Sequence, residues 1–214
     1  MKAILFDFDG TLANTLPVCD VAFQHVFKEF DGRELSSAEV RAMFGPSETG
    51  IIRKNLNHPD KDEAIEQYYA KYLERHDELV EPNQEIHDLL LQLKESGMKL
   101  GIVTGKARRS LDISLEALGW EGLFDAIITG DDVARPKPDP EGVLKTLAQL
   151  RITKNEAVFI GDSDADILAG IEAGVLTIGV QWLPDFQTLE FAAVPDFHFK
   201  TVNDFKGALE RGFA

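Results

Sequence analysis

Cysteine is almost missing from this chain. Cys19 is the only one among 214 residues, so no disulfide can form within it and the fold must rest on its core. Such usage fits a reducing compartment. Long apolar runs are missing as well. The opening stretch offers only Ala3 to Phe6 before Asp7 interrupts it, whereas a secretory signal needs roughly seven apolar residues or more. No run approaches the ~18 that span a bilayer. A cytoplasmic protein without membrane contact is expected. Positive charge is scarce too: 22 Lys and Arg stand against 37 Asp and Glu, a formal net charge of −15. A diffuse negative field repels nucleic acid and anionic lipid, so neither is an expected partner. The sequence also lacks internal repeats and low-complexity segments. What remains is ordinary for a globular chain, 44% hydrophobic and 28% charged residues, and long enough for a medium domain with a smaller insertion.

Short apolar runs recur with turn residues at their ends: Ala3–Phe6, Leu100–Val103, Ala126–Ile128, Ala157–Ile160 and Leu176–Val180. Each is too short for a helix and reads as a strand buried on both faces. Helical stripes lie between them. Ile86, Leu89, Leu90 and Leu93 precede Gly97; Leu111, Leu115 and Leu118 precede Gly119; Val143, Leu144, Leu147 and Leu150 form a third; Ile167, Leu168 and Ile171 precede Gly174. The alternation predicts an α/β fold, a Rossmann-like parallel sheet with helices on both faces. One stretch breaks the rhythm. From about Asn14 to Glu81 there is no convincing strand, but there are helical patterns such as Val18, Val21, Ala22, Val26 and Ile65, Tyr68, Tyr69, Tyr72. A crossover does not need that many residues. The reading is a discontinuous core, 1–14 and 82–214, with a helical cap of residues 15–81 inserted after the first strand.

Four motifs sit at successive strand ends, where open parallel sheets bind ligands. Asp7-Phe8-Asp9-Gly10-Thr11 places two carboxylates close together, which repel unless a cation or proton lies between them. Val103-Thr104-Gly105-Lys106 offers a hydroxyl and a backbone N–H for an anionic oxygen. Arg135-Pro136-Lys137-Pro138-Asp139-Pro140 fixes a lysine between prolines. Gly161-Asp162-Ser163-Asp164-Ala165-Asp166 adds acids that could share a face at a helix start. Each alone has a plainer reading: an acidic turn, a capping threonine, a rigid linker, a capped helix. Together they bring hard acids suited to Mg²⁺ beside a lysine and a hydroxyl suited to phosphate.

The order of these motifs resembles the haloacid dehalogenase (HAD) superfamily, in its phosphoglycolate phosphatase-like branch, from Ile4 through Asp166. The resemblance implies a Mg²⁺-dependent phosphatase that hydrolyses a small phosphorylated metabolite through an aspartyl phosphate. Asp7 would be nucleophile and metal ligand. Asp9 would be general acid–base, with its carbonyl on the metal. Thr104 and Gly105 would hold the phosphoryl group, Lys137 would bridge nucleophile and phosphate, Asp162 would ligate the metal, and Asp166 would stand in its outer shell. Dehalogenases of this superfamily lack the second acid of the first motif, so Asp9 argues against that reaction. A phosphomutase of the same branch is the nearest alternative, and a non-catalytic phosphate-binding module is one of another class.

The segment from Arg41 to Glu48 resembles the family's specificity loop. Ser47, Glu48 and Arg53 are therefore candidates for reading the leaving group. Glu48 stands where mutases of this branch carry a cation, which weakens the mutase reading; Arg53 could still supply positive charge. A monomer or weak homodimer is expected.

Overall fold

The computed structural model describes residues 1–213. Six parallel strands form one sheet in the order β3-β2-β1-β4-β5-β6: β1 (Ala3–Phe6), β2 (Lys99–Val103), β3 (Ala126–Ile128), β4 (Ala157–Gly161), β5 (Leu176–Val180) and β6 (Phe197–Phe199). β1 lies in the interior, with Ala3 beside Lys99 of β2 on one side and Ala157 of β4 on the other. The five expected strands are all present. The sixth has no apolar run to announce it, only two half-buried phenylalanines around an exposed His198, as suits a short edge strand.

Alternation along the strands sorts two cores. Ile4 and Phe6 face the helices α5 (Gln84–Glu95), α6 (Arg108–Ala117) and α9 (Val202–Glu210). Ala3 and Leu5 face α7 (Glu141–Leu150) and α8 (Asp164–Ala173). Two predicted stripes are displaced. Leu144, Leu168 and Ile171 are 41–48% exposed. α8 turns Ile167, Ala169, Gly170 and Ala173 inward instead. A Cβ on Gly170 would lie 2.5 Å from the Thr177 methyl, so this helix comes too near the sheet for leucines on that face.

Between β1 and α5 run four helices: α1 (Leu16–Asp31), α2 (Ser37–Arg41), α3 (Glu48–Asn55) and α4 (Lys61–Leu79). They bury a cluster of their own around Phe23, Val26, Phe27, Ile52, Tyr68 and Tyr72. Buried stripes rather than helix propensity give such helices most of their stability. Pro17 in the first turn of α1 and the left-handed Gly32 after it mark that helix's limits. No helix among the described residues is long and apolar enough to cross a membrane.

Candidate active site

β1, β2 and β4 all end at one edge of the sheet, and the chain turns sharply after each. After β1, Gly10 adopts φ +81°. A Cβ there would be strained and would collide with the Asp162 carboxylate. The turn is closed by Gly10 N–H donating to Ala13 O and Ala13 N–H donating to Phe8 O. This loop sets Asp7 and Asp9 beside the end of β4. There Asp162 is fully buried, accepting from Thr11 Oγ1 at 3.1 Å and from the Gln187 N–H at 2.6 Å. Asp166 lies in the first turn of α8, where it accepts from the N–H and hydroxyl of Ser163.

Asp7, Asp162 and Asp166 are all buried, with one oxygen of each lying within 4.8 Å of the others. One cation serves them. Lys137 Nζ lies 2.8 Å from Asp7 Oδ1 and 2.5 Å from Asp166 Oδ1, and donates to Val103 O at 3.3 Å. Burial pulls the lysine toward neutrality, but Asp166 and Asp7 outweigh it and hold it charged. The carboxylates remain short of positive charge. Burial raises Asp7 to about 7 against the pull of Lys137, with Asp166 and Asp9 adding to the rise. Asp162 is raised as well, by burial first and then by Asp166 and Asp7. Asp7 Oδ1 also has no hydrogen bond of good geometry. Three buried hard oxygen donors that share a single lysine, and the deficit of positive charge that results, suit a Mg²⁺ site, so the residues fit that ion.

Asp9 points into a neighbouring polar niche. Its Oδ1 accepts from Thr15 Oγ1 at 2.5 Å and from Lys106 Nζ at 3.0 Å. Thr104, at the end of β2, uses its N–H on Ile128 O, and its hydroxyl oxygen accepts from the Lys106 N–H. These groups line one end of a cavity of about 270 Å³, and the helical insertion forms the other end with Cys19, Phe23, Phe44 and Ile51. The arrangement pairs a buried carboxylate beside a fixed cation with a second carboxylate held by hydrogen bonds. It can supply an anionic nucleophile and a separate proton carrier.

The cavity brings together Asp7, Asp9, Thr104, Gly105 and Lys137, with Asp162 and Asp166 behind Asp7. The cap candidates are placed differently. Glu48 reaches the cavity wall but is only 5% exposed; it accepts hydrogen bonds from the Ala107 N–H and Ser110 Oγ and lies 3.4 Å from Lys106. Its carboxylate is thus engaged by the core and does not face solvent. Ser47 is buried against Thr49, its hydroxyl 3.0 Å from the threonine's. Arg53 lies outside the cavity, where it pairs with Asp62 at 2.6 Å. Five residues along α3 rotate it about 140° from Glu48, so it brings no positive charge to the site. Lys106 was not anticipated by the sequence reading. Its position directly after Thr104-Gly105 was the available signal.

The sequence model of a family described as haloacid dehalogenase-like hydrolase matches residues 4–180. The pyrophosphatase PpaX of Bacillus velezensis is 36% identical over 205 residues, which cover 95% of this chain and 94% of that protein. Among solved structures, CbbY from Rhodobacter sphaeroides in complex with phosphate is similar at a TM-score of 0.84 and 26% identity, covering 96% of both chains. A mutant of CbbY in complex with xylulose-(1,5)-bisphosphate matches at a TM-score of 0.81 and 26% identity, covering 94% of this chain and 95% of that one.

Proposed function

The chain belongs to the haloacid dehalogenase-like hydrolases, and from that premise we propose that it is a Mg²⁺-dependent phosphatase acting on a small phosphorylated metabolite through a phosphorylated Asp7. The observation that carries the reading is the buried trio Asp7, Asp162 and Asp166 sharing one lysine, with Asp9 alongside in the same cavity.

Asp7, Asp162 and the Asp9 carbonyl would hold Mg²⁺, with Asp166 in its outer shell. When bound, the ion would neutralise charge between the Asp7 carboxylate and the phosphate dianion. The chain's own groups perform the rest. Asp7 forms the bond to phosphorus, and the bond to the leaving oxygen breaks. Lys137, already 2.8 Å from Asp7, offsets the approach of two anions. The Thr104 hydroxyl and the Gly105 N–H hold the phosphoryl oxygens. Asp9 gives its proton to the leaving oxygen, then takes one from the water that hydrolyses the acyl phosphate. Residues 15–81 would act as the cap over a core of 1–14 and 82–214, excluding bulk water during these steps.

Hydrolysis is favoured over phosphoryl exchange within a bisphosphate. The two lysines that line the cavity are both engaged by carboxylates, Lys137 by Asp7 and Asp166 and Lys106 by Asp9 and Glu48. Arg41 is occupied by Asp20 and Asp185. Among the described residues lining the cavity, no cation is left over to anchor a second phosphate. Pyrophosphate and sugar phosphates lead the substrate panel because of the relatives' names.

The test is to incubate the protein with Mg²⁺ and that panel, quench during turnover and map acyl phosphate by mass spectrometry. Label is expected on Asp7. Label on Asp9 would reverse the roles; turnover with no labelled aspartate would favour direct attack by water.

A further inference from the structure

The insertion closes over one core lysine. Lys106 follows β2, yet its side chain has no exposed surface. Its ammonium lies 3.0 Å from Asp9 Oδ1, 3.4 Å from Glu48 Oε1, 3.4 Å from Cys19 Sγ and 4.5 Å from the centre of the Tyr72 ring. Three of these neighbours come from three different helices of the insertion: Cys19 from α1, Glu48 from α3 and Tyr72 from α4. The fourth is the proposed acid–base.

Glu48 makes a second connection. The residue at the N-cap of α6 is Ala107, whose side chain cannot cap it. Glu48 reaches this helix start from the insertion, accepting from the Ala107 N–H and from Ser110 Oγ at 2.5 Å, while Asp131 accepts from the Arg108 N–H at 2.8 Å. The positive end of the helix favours the carboxylate there. A buried ion pair is stable only when its remaining hydrogen-bonding groups are satisfied. Glu48 meets that condition with an N–H, a hydroxyl and an ammonium; Lys106 meets it with two carboxylates and an aromatic face. All of this depends on the insertion being seated. Were it lifted, Lys106 would lose Glu48, Cys19 and Tyr72 together. It would keep only Asp9, on a flexible four-carbon stem in water.

We propose that Lys106 and Glu48 are positioning residues, a relay through which seating of the helical insertion fixes the Asp9 side chain for proton transfer. The inference rests on the phosphatase reading for the role of Asp9. With the insertion lifted, Lys106 would no longer be held against Asp9 by Glu48, Cys19 and Tyr72, and Asp9 would lose its fixed orientation.

The experiment compares Lys106→Met, Glu48→Gln, Glu48→Ala and the Lys106→Met/Glu48→Ala double variant. Each is assayed on glycerol 2-phosphate and on p-nitrophenyl phosphate, and amide hydrogen exchange is followed at Ala107. Lys106→Met should lower kcat on the alkyl phosphate about 10- to 100-fold, a part of what a proton carrier supplies. KM should change little, and p-nitrophenyl phosphate, whose leaving group needs little protonation, should suffer less. Glu48→Ala should show the same pattern more weakly, Glu48→Gln should retain most activity, and the double variant should lose no more than Lys106→Met. Exchange at Ala107 should accelerate in Glu48→Ala and not in Glu48→Gln. Equal losses on both substrates, multiplying losses in the double variant, or unchanged protection of Ala107 in Glu48→Ala would overturn the relay. A wild-type protein inactive on both substrates and on the phosphate panel would overturn the phosphatase reading, and with it the role of Asp9 on which the relay rests.

Discussion

Replacing Asp7, the proposed nucleophile, should make the protein more stable in the absence of metal. Asp7 is buried, and its carboxyl is raised from 3.8 to about 7 in the folded chain, by burial first and against the opposing pull of Lys137. Between those two values the folded state holds a proton that the unfolded state has released. Stability therefore falls as pH rises through that window, and the full loss is present above about 7. The difference of about 3 pH units, at about 1.4 kcal/mol each, sets a ceiling of about 4 kcal/mol. Asp7→Asn keeps the shape and can still accept from Lys137, but it carries no charge to bury. In excess chelator at pH 8 the variant should melt above wild type, by up to roughly 10 °C for a chain of this size. The gain should shrink toward zero as pH falls to about 4, and Mg²⁺ should narrow it by stabilising wild type through binding. Differential scanning calorimetry across pH 4–8, with and without Mg²⁺, measures all three. An Asn variant that melts at or below wild type in chelator at pH 8 would refute the reasoning, as would a gain of undiminished size at pH 4.

Asp9→Asn should slow turnover of an alkyl phosphate by roughly 10²–10⁴-fold and that of p-nitrophenyl phosphate by less; equal losses in steady-state assays would remove Asp9 from proton transfer. Mg²⁺ should support turnover and Ca²⁺ should inhibit it, because the larger ion accepts more oxygens at longer distances and could bind both oxygens of Asp7; equal rates with the two ions would contradict this. Gly10→Ala should destabilise the fold by about 1–3 kcal/mol in urea titrations, since it forces a side chain into φ +81° and against Asp162; an unchanged midpoint would show that the loop can relax.

The buried strands were legible because a strand covered on both faces needs an unbroken apolar run, as at Ala157–Ile160, and few other structures do. The strand-end motifs were legible because each combines a turn with a reactive group within about six residues. Helix faces were read less well where packing is close. On α8 the expected stripe of Ile167, Leu168 and Ile171 holds only at Ile167, while the rest of the inward face is built from Ala169, Gly170 and Ala173. Lys106 and Glu48 were the hardest. Glu48 stands at the start of α3 in the manner of any helix-opening acid, and its partners lie 59 and 62 residues further on. Lys106 is buried only because three helices meet over it, an arrangement that no local pattern records. Arg53 was within reach of helical geometry: a step of five residues does not share a face with Glu48.

The interior place of β1 has a consequence for how the protein comes into being. Asp7 directly follows β1, but that strand has β4 for one neighbour, with Ala3 beside Ala157, and Thr11 donates to Asp162 across 151 residues. During synthesis the ribosome delivers Asp7 first, then the helical insertion, β2 and β3, and only after them β4. Until then β1 has only β2 beside it, and the acidic turn lacks Asp162 and Asp166. The cluster of Asp7 with Asp162 and Asp166 is thus assembled late, by closing the longest loop in the central sheet, and such distant pairings are slow to form. A message cut short before β4 would yield Asp7, Asp9 and all four helices of the insertion, yet not the carboxylate cluster.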